Sequence, residues 1–143
     1  LIEEIINTAF ISSALSCNRQ TVRVICVNND KYAEGDSNNK SLQEKAPHLL
    51  YLANDDRFFT DKFETSLDIG SFASSIMLAA SACGAAGCWM YEGKFHNDDQ
   101  LREKLGLSKD FYIYSLIAIG YPLDVQEKPP RVSVDRILKF HES

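Results

Sequence analysis

No block of five or more basic residues occurs in this 143-residue chain, and 15 Lys and Arg against 20 Asp and Glu leave a net charge of −5. That balance argues against nucleic acid as the main partner. The four cysteines, Cys17, Cys26, Cys83 and Cys88, fall at irregular spacing in apolar or helical contexts and do not make the framework of a small secreted protein. Buried free thiols are expected. Cys83 and Cys88 with His96 lack the second pair of a zinc module, so no metal is expected either. Neither a P-loop nor a Gly-x-Gly-x-x-Gly phosphate motif is found, and there is no internal repeat or low-complexity tract. The first ten residues carry Glu3 and Glu4 and no basic leader, so the expectation is a cytoplasmic protein without a signal peptide. A chain of this length fits one domain with a single core.

What the sequence does have is an uncharged run between Asp68 and Glu92 whose internal pattern changes halfway. Its length suggests a membrane span. Yet Ile69, Phe72, Ala73, Ile76, Met77, Ala80 and Cys83 follow the i, i+3, i+4, i+7 spacing of one helical face, with Ser71, Ser74, Ser75 and Ser81 off it. Gly84 and Gly87 then interrupt the helix, and Cys88 to Tyr91, bounded by Gly93, reads as a buried strand or extended segment. The run is therefore a core helix, capped at Asp68, that enters a glycine-lined turn.

Along the rest of the chain, Leu1 to about Ala14 is an amphipathic helix that ends near Ser16-Cys17-Asn18. Thr21 to Val27 alternates β-formers around Arg23 and is a strand; His48 to Ala53 is a second, largely buried one. Asn28 to Lys40 reads as a polar surface loop, Leu42 to Lys45 as a turn of helix, and Asn54 to Thr65 as a charged, aromatic stretch that is partly helical. Asn97 caps a short helix closed by Gly106. Tyr112 to Ile119, apolar on both faces, is the candidate central strand. After the extended Pro129-Pro130 linker, Val134, Ile137 and Leu138 resume helical spacing. The carboxylates Asp55, Asp56, Asp98 and Asp99 read as solvated caps, and no acid–base catalytic residue stands out.

Three patterns, in this order, resemble the nitroreductase family of flavoproteins. They are Ser16-Cys17-Asn18-Arg19-Gln20; Asp68-Ile69-Gly70 through Leu78-Ala79-Ala80 to Gly84 and Cys88-Trp89; and Ile119-Gly120-Tyr121-Pro122 followed by Pro130-Arg131. The resemblance implies an α+β domain, a mainly antiparallel sheet flanked by helices, that forms a homodimer with flavin mononucleotide (FMN) at the subunit interface. It also implies an activity: NAD(P)H reduces the flavin, which passes the electrons to a nitroaromatic, a quinone or a similar small-molecule acceptor. The matching positions give the expected cofactor contacts. Ser16, Asn18 and Gln20 serve the flavin edge, Arg19 lends positive charge, backbone N–H groups of Met90, Tyr91 and Glu92 face N5, and Arg131 reaches the phosphate. Trp89 and Tyr91 either wall the ring or fill the core. The family's N-terminal Arg-Ser-Arg cluster would precede Leu1, so the domain, residues 1–143, is expected to lack its N-terminal segment. Ala14-Leu15 stands where the family has Pro-Ser, and Thr21-Val22 where it has Pro-Trp. These departures keep open a second reading, a non-catalytic dimeric scaffold or small-ligand binder of the same fold that has lost the phosphate clamp.

Overall fold

Four antiparallel strands form one sheet in the order β1-β2-β4-β3, and helices cover both of its faces. The computed structural model describes residues 1–28, 46–58, 61–91, 98–122, 124 and 127–141. The elements, in chain order, are α1 (Ile2–Ser12), a 3-10 turn (Ser16–Asn18), β1 (Val22–Asn28), β2 (His48–Asp55), α2 (Lys62–Ala82), β3 (Ala86–Met90), α3 (Asp99–Lys104), β4 (Phe111–Gly120) and a second 3-10 turn (Val134–Arg136). The expected surface loop beyond Asn28 and the helical turn from Leu42 to Lys45 lie outside the described residues.

The two central strands, β2 and β4, are buried on both sides, which is why they read as near-continuous apolar runs. On one face Leu50, Leu52, Ile117 and Ile119 meet Ile5 and Ala9 of α1 and Ile69, Phe72, Ala73 and Ile76 of α2. Phe72 is 1% exposed, and its ring stands edge-on to Phe10 with centroids 5.8 Å apart. On the other face Leu49, Tyr51, Ile113 and Leu116 pack with Leu101, Leu105 and Leu107 in and after α3. A bulge lies between these strands: Leu52 pairs with Ser115 but Ala53 pairs with Ile113, leaving Tyr114 as the extra residue. A slip of one residue reverses which side chains face which layer. Accordingly Tyr112 and Tyr114 face the same layer as Ile117 and Ile119 despite the change of parity.

Helix α2 starts about two turns earlier than the sequence suggests. Its N-cap is Asp61, whose carboxylate accepts from the N–H groups of Phe63 at 2.9 Å and Glu64 at 3.1 Å; Asp68 lies inside the helix and caps nothing. The first turns escape detection because Phe63 and Leu67 are exposed rather than part of the buried stripe. The far end is as read: Gly84 takes φ 73°, its N–H bonds the Ser81 carbonyl at 3.1 Å, and the Ala85 N–H bonds that of Ala80 at 2.9 Å. That pair of bonds is the Schellman stop. No described helix is long and apolar enough to cross a membrane.

Four other expectations are corrected. Strand β3 is not buried but an edge strand, with Cys88 and Trp89 exposed. The thiols are free, yet Cys17, Cys26 and Cys88 are exposed and Cys83 half-buried. The cap of α3 is Asp98, which accepts from the Leu101 N–H at 2.8 Å, while Asn97 lies outside the described residues. The C-terminal segment forms no α-helix among its described residues: 127–141 are exposed throughout, because their apolar side chains find no layer of the sheet to pack on.

Candidate functional site

The loop between α1 and β1 is held in a conformation that costs backbone strain. Cys17 and Asn18 both sit in the left-handed region, at φ 50° and 53°, where non-glycine residues are uncommon. Asn tolerates it better than most. Two carboxylates one helical turn apart on α2 fix the loop. Asp68, 5% exposed, accepts at Oδ1 from the Ser16 N–H at 2.8 Å and from Ser16 Oγ at 2.9 Å, and Glu64 pairs with the Arg19 guanidinium. Arg23 closes the far side by donating to the carbonyls of Gln20 and Val22, each at 2.9 Å. The side chains of Asn18 and Gln20 are left exposed, with Gln20 Nε2 donating to Asn18 Oδ1 at 3.4 Å.

A second cluster forms where β3 ends. Trp89 is 45% and Tyr91 68% exposed, so neither fills the core, and that alternative is overturned. Met90, by contrast, is 5% exposed and packs with Leu49, Ile113 and Leu116 on the α3 side of the sheet. Trp89 lies over α2 at Gly70, where an added Cβ would be 3.8 Å from the ring. Nearby, Lys62 Nζ stands 3.9 Å above the Tyr112 ring and pairs with Asp56. Burial and the neighbouring Tyr91 and Asp56 push the Tyr112 hydroxyl up. Burial raises the Tyr114 hydroxyl, beside Thr65, to about 12.

The expected site residues thus fall into groups. Ser16, Asn18, Arg19 and Gln20 come together on the Asp68 face of α2. Trp89 lies against α2 at Gly70, two residues on from Asp68 and therefore roughly 200° around the helix, with Met90 and Tyr91 following it in the chain. Arg131 belongs to neither; it lies in the exposed stretch 127–141. Glu92 lies outside the described residues. Sequence reasoning missed Glu64 and Asp68 as loop anchors, although two acids at i, i+4 on one helix were a usable signal. It also misread Asp55, which is 2% exposed rather than solvated. The hydrogen-bonding Arg57 guanidinium holds its carboxyl below the usual range.

Elsewhere, a cavity of about 370 Å³ opens between α1 and β1, lined by Ile2, Ile6, Phe10, Val24 and Cys26 among others. It holds none of the expected residues. Among the described residues no three of His, Cys, Asp and Glu converge as a metal centre would require.

Comparison with known proteins finds that the nitroreductase family model matches residues 32–121. No curated protein matches. Among solved structures, a nitroreductase family protein of Streptococcus pneumoniae is 17% identical, with a TM-score of 0.82 over 98% of this chain and 88% of that one. An FMN-dependent nitroreductase of Clostridium difficile is 21% identical, with a TM-score of 0.75 over 99% and 87%. An NADPH:FMN oxidoreductase of Vibrio harveyi, complexed with NAD+, is 21% identical, with a TM-score of 0.75 over 99% and 67%. At these identities the likeness is one of fold: the sheet and helices described above have the nitroreductase-like arrangement.

Proposed function

The chain belongs to the nitroreductase family, and on that premise we propose that it is an FMN-dependent oxidoreductase. In this reading it takes reducing equivalents from NAD(P)H and delivers them to a small acceptor such as a nitroaromatic or a quinone. The observation that carries the reading is the pairing of two exposed features: aromatic faces at Trp89 and Tyr91, and the amides of Asn18 and Gln20 on a strained, anchored loop. A flat ring with an amide-bearing edge calls for both. The names of the Clostridium difficile and Vibrio harveyi proteins point to the same cofactor.

The residues present fit the ring half of FMN well. Asn18 offers a donor and an acceptor to the pyrimidine edge. By the family resemblance, the backbone N–H groups of Met90, at the end of β3, and of Tyr91 after it would serve N5, and the exposed Trp89 and Tyr91 rings would shield the flavin from water. For the phosphate the chain offers Arg131 on the exposed tail, while Arg19 is paired with Glu64 and lends its charge to the loop. When bound, FMN supplies the electron-transfer chemistry, and the protein orients and polarises it.

Because the two groups lie on opposed faces of α2, one chain supplies half of each site, and a homodimer completes it with Asn18 from the partner chain. Two further features support that assembly. Phe63, Leu67 and Leu78 leave the outward side of α2 apolar and 57–74% exposed, and the tail carries Val132, Val134, Ile137 and Phe140 at 60–83%. A second copy would cover both.

The test is to purify the protein and record its visible spectrum and sedimentation with and without added FMN, then follow NAD(P)H oxidation. A flavin spectrum in a dimer that consumes NAD(P)H supports the reading; absence of bound flavin and of NAD(P)H oxidation refutes it. One observation favours the flavin-free scaffold instead, namely that Arg19 is already neutralised by Glu64. The same spectrum decides between the two.

A further inference from the structure

We infer that Asp68 is a positioning residue: its buried carboxylate sets the Ser16–Gln20 loop in the one conformation that presents the Asn18 amide to the flavin edge. The role rests on the flavin reading above. Three observations converge on it. Asp68 lies in the interior of α2, 5% exposed, a place where an unpaired acid would be costly. Its Oδ1 accepts two bonds, at 2.8 and 2.9 Å, from the N–H and hydroxyl of one residue 52 positions away. And the two residues beyond that anchor, Cys17 and Asn18, are those driven to φ 50° and 53°.

Left-handed backbone at two successive non-glycine residues persists only where the surroundings impose it. The surroundings here are a clamp with two jaws. Asp68 holds the loop before the strained pair, and Glu64, one turn earlier on the same face, holds it after the pair through Arg19. Without Asp68 the Ser16 N–H loses its acceptor and the pair can relax to ordinary negative φ, which turns the Asn18 side chain away. The apparent flavin affinity then falls in proportion to the fraction of chains that keep the competent loop.

The test has a cofactor-free arm and a binding arm. In the protein without flavin, hydrogen exchange of the Ser16 to Gln20 amides is compared for the unchanged chain, Asp68→Leu, Asp68→Ala and Asp68→Asn. Leucine fills the buried space without an acceptor, and alanine serves if the leucine variant fails to fold. Asparagine keeps an acceptor oxygen. Exchange is expected to accelerate by tenfold or more, on the order of one lost charged hydrogen bond, in the first two variants and to stay near the original rate in the third. In the binding arm, FMN titration should show a loss on the order of tenfold for Asp68→Leu and rescue by Asp68→Asn. In an Asn18→Ala background the Asp68 change should cost little more, since the contact it positions is already gone.

Unchanged loop exchange in a folded Asp68→Leu protein overturns the positioning role, as does full additivity with Asn18→Ala. A chain that binds no FMN at all but shows faster loop exchange refutes the flavin reading and, with it, the purpose assigned to the clamp, while its mechanical part stands.

Discussion

Gly70 offers a substitution whose sign is fixed by geometry. It occupies the interior of α2, where glycine is about 0.8–1.0 kcal/mol worse than alanine. A Cβ added there would meet Trp89 Cη2 at 3.8 Å, an ordinary van der Waals distance with nothing to push aside. Gly70→Ala should therefore recover most of the propensity term, about 1 kcal/mol. With roughly 2.1 cal/mol/K per residue over 143 residues, the unfolding entropy is near 0.3 kcal/mol/K, and the melting midpoint should rise by roughly 3 °C. Thermal unfolding followed by circular dichroism reads the shift, and urea unfolding should show a higher midpoint at unchanged slope. A fall in the midpoint by a degree or more would refute the reasoning, because it would mean that another backbone or ring approaches Gly70 more closely than Trp89 does.

Gly120→Ala should have the opposite sign, since its Cβ would come within 2.7 Å of Cδ of the rigid Pro47 ring; a loss of about 1–3 kcal/mol is expected in the same melts. Removing the true helix cap with Asp61→Ala should cost about 1 kcal/mol, whereas a capping role for Asp68 would leave the Asp61 variant unchanged. The unfolded chain loses the Tyr114 phenolic proton near pH 10.0, while the folded chain keeps it to about 12. Stability should therefore be intact below pH 10 and decline as pH rises beyond it. Tyr114→Phe should make that alkaline decline shallower in denaturant titrations, and an identical slope would contradict it. Trp89→Ala, at a side chain 45% exposed, should change stability by less than about 0.5 kcal/mol while lowering FMN affinity by roughly two- to tenfold.

Strands β1, β2 and β4 were legible because each carries its signal in its own residues, a run of β-formers around Arg23 for β1 and apolar residues on both faces for the central pair. The end of α2 was legible for the same local reason, a glycine that only a helix stop explains. Features set by distant partners were not. Asp68 in the sequence Asp-Ile-Gly looks like a cap, and only the Ser16 loop, 52 residues away, shows what it binds. Strand β3 has the composition of a buried strand, but its place at the sheet edge is decided by topology. Asp55 looked solvated among polar neighbours, yet it ends β2 inside the layer and takes its charge partner from Arg57 in the following turn. Of the site, the loop residues and the Trp89 to Tyr91 stretch were each found by motif. That they occupy opposed faces of α2 could not be read from a linear pattern, since it depends on which helix residue each segment docks against, Asp68 for the loop and Gly70 for Trp89.

That opposition of faces makes the proposed dimer a setting for complementation. If each site takes its amide loop from one chain and its aromatic wall from the other, then a chain altered at Asn18 and a chain altered at Trp89 damage different halves. Joined in one mixed dimer, they would concentrate both lesions in one site and leave the other wholly intact. Two defective proteins would thus regain, on mixing, a functional site that neither has alone.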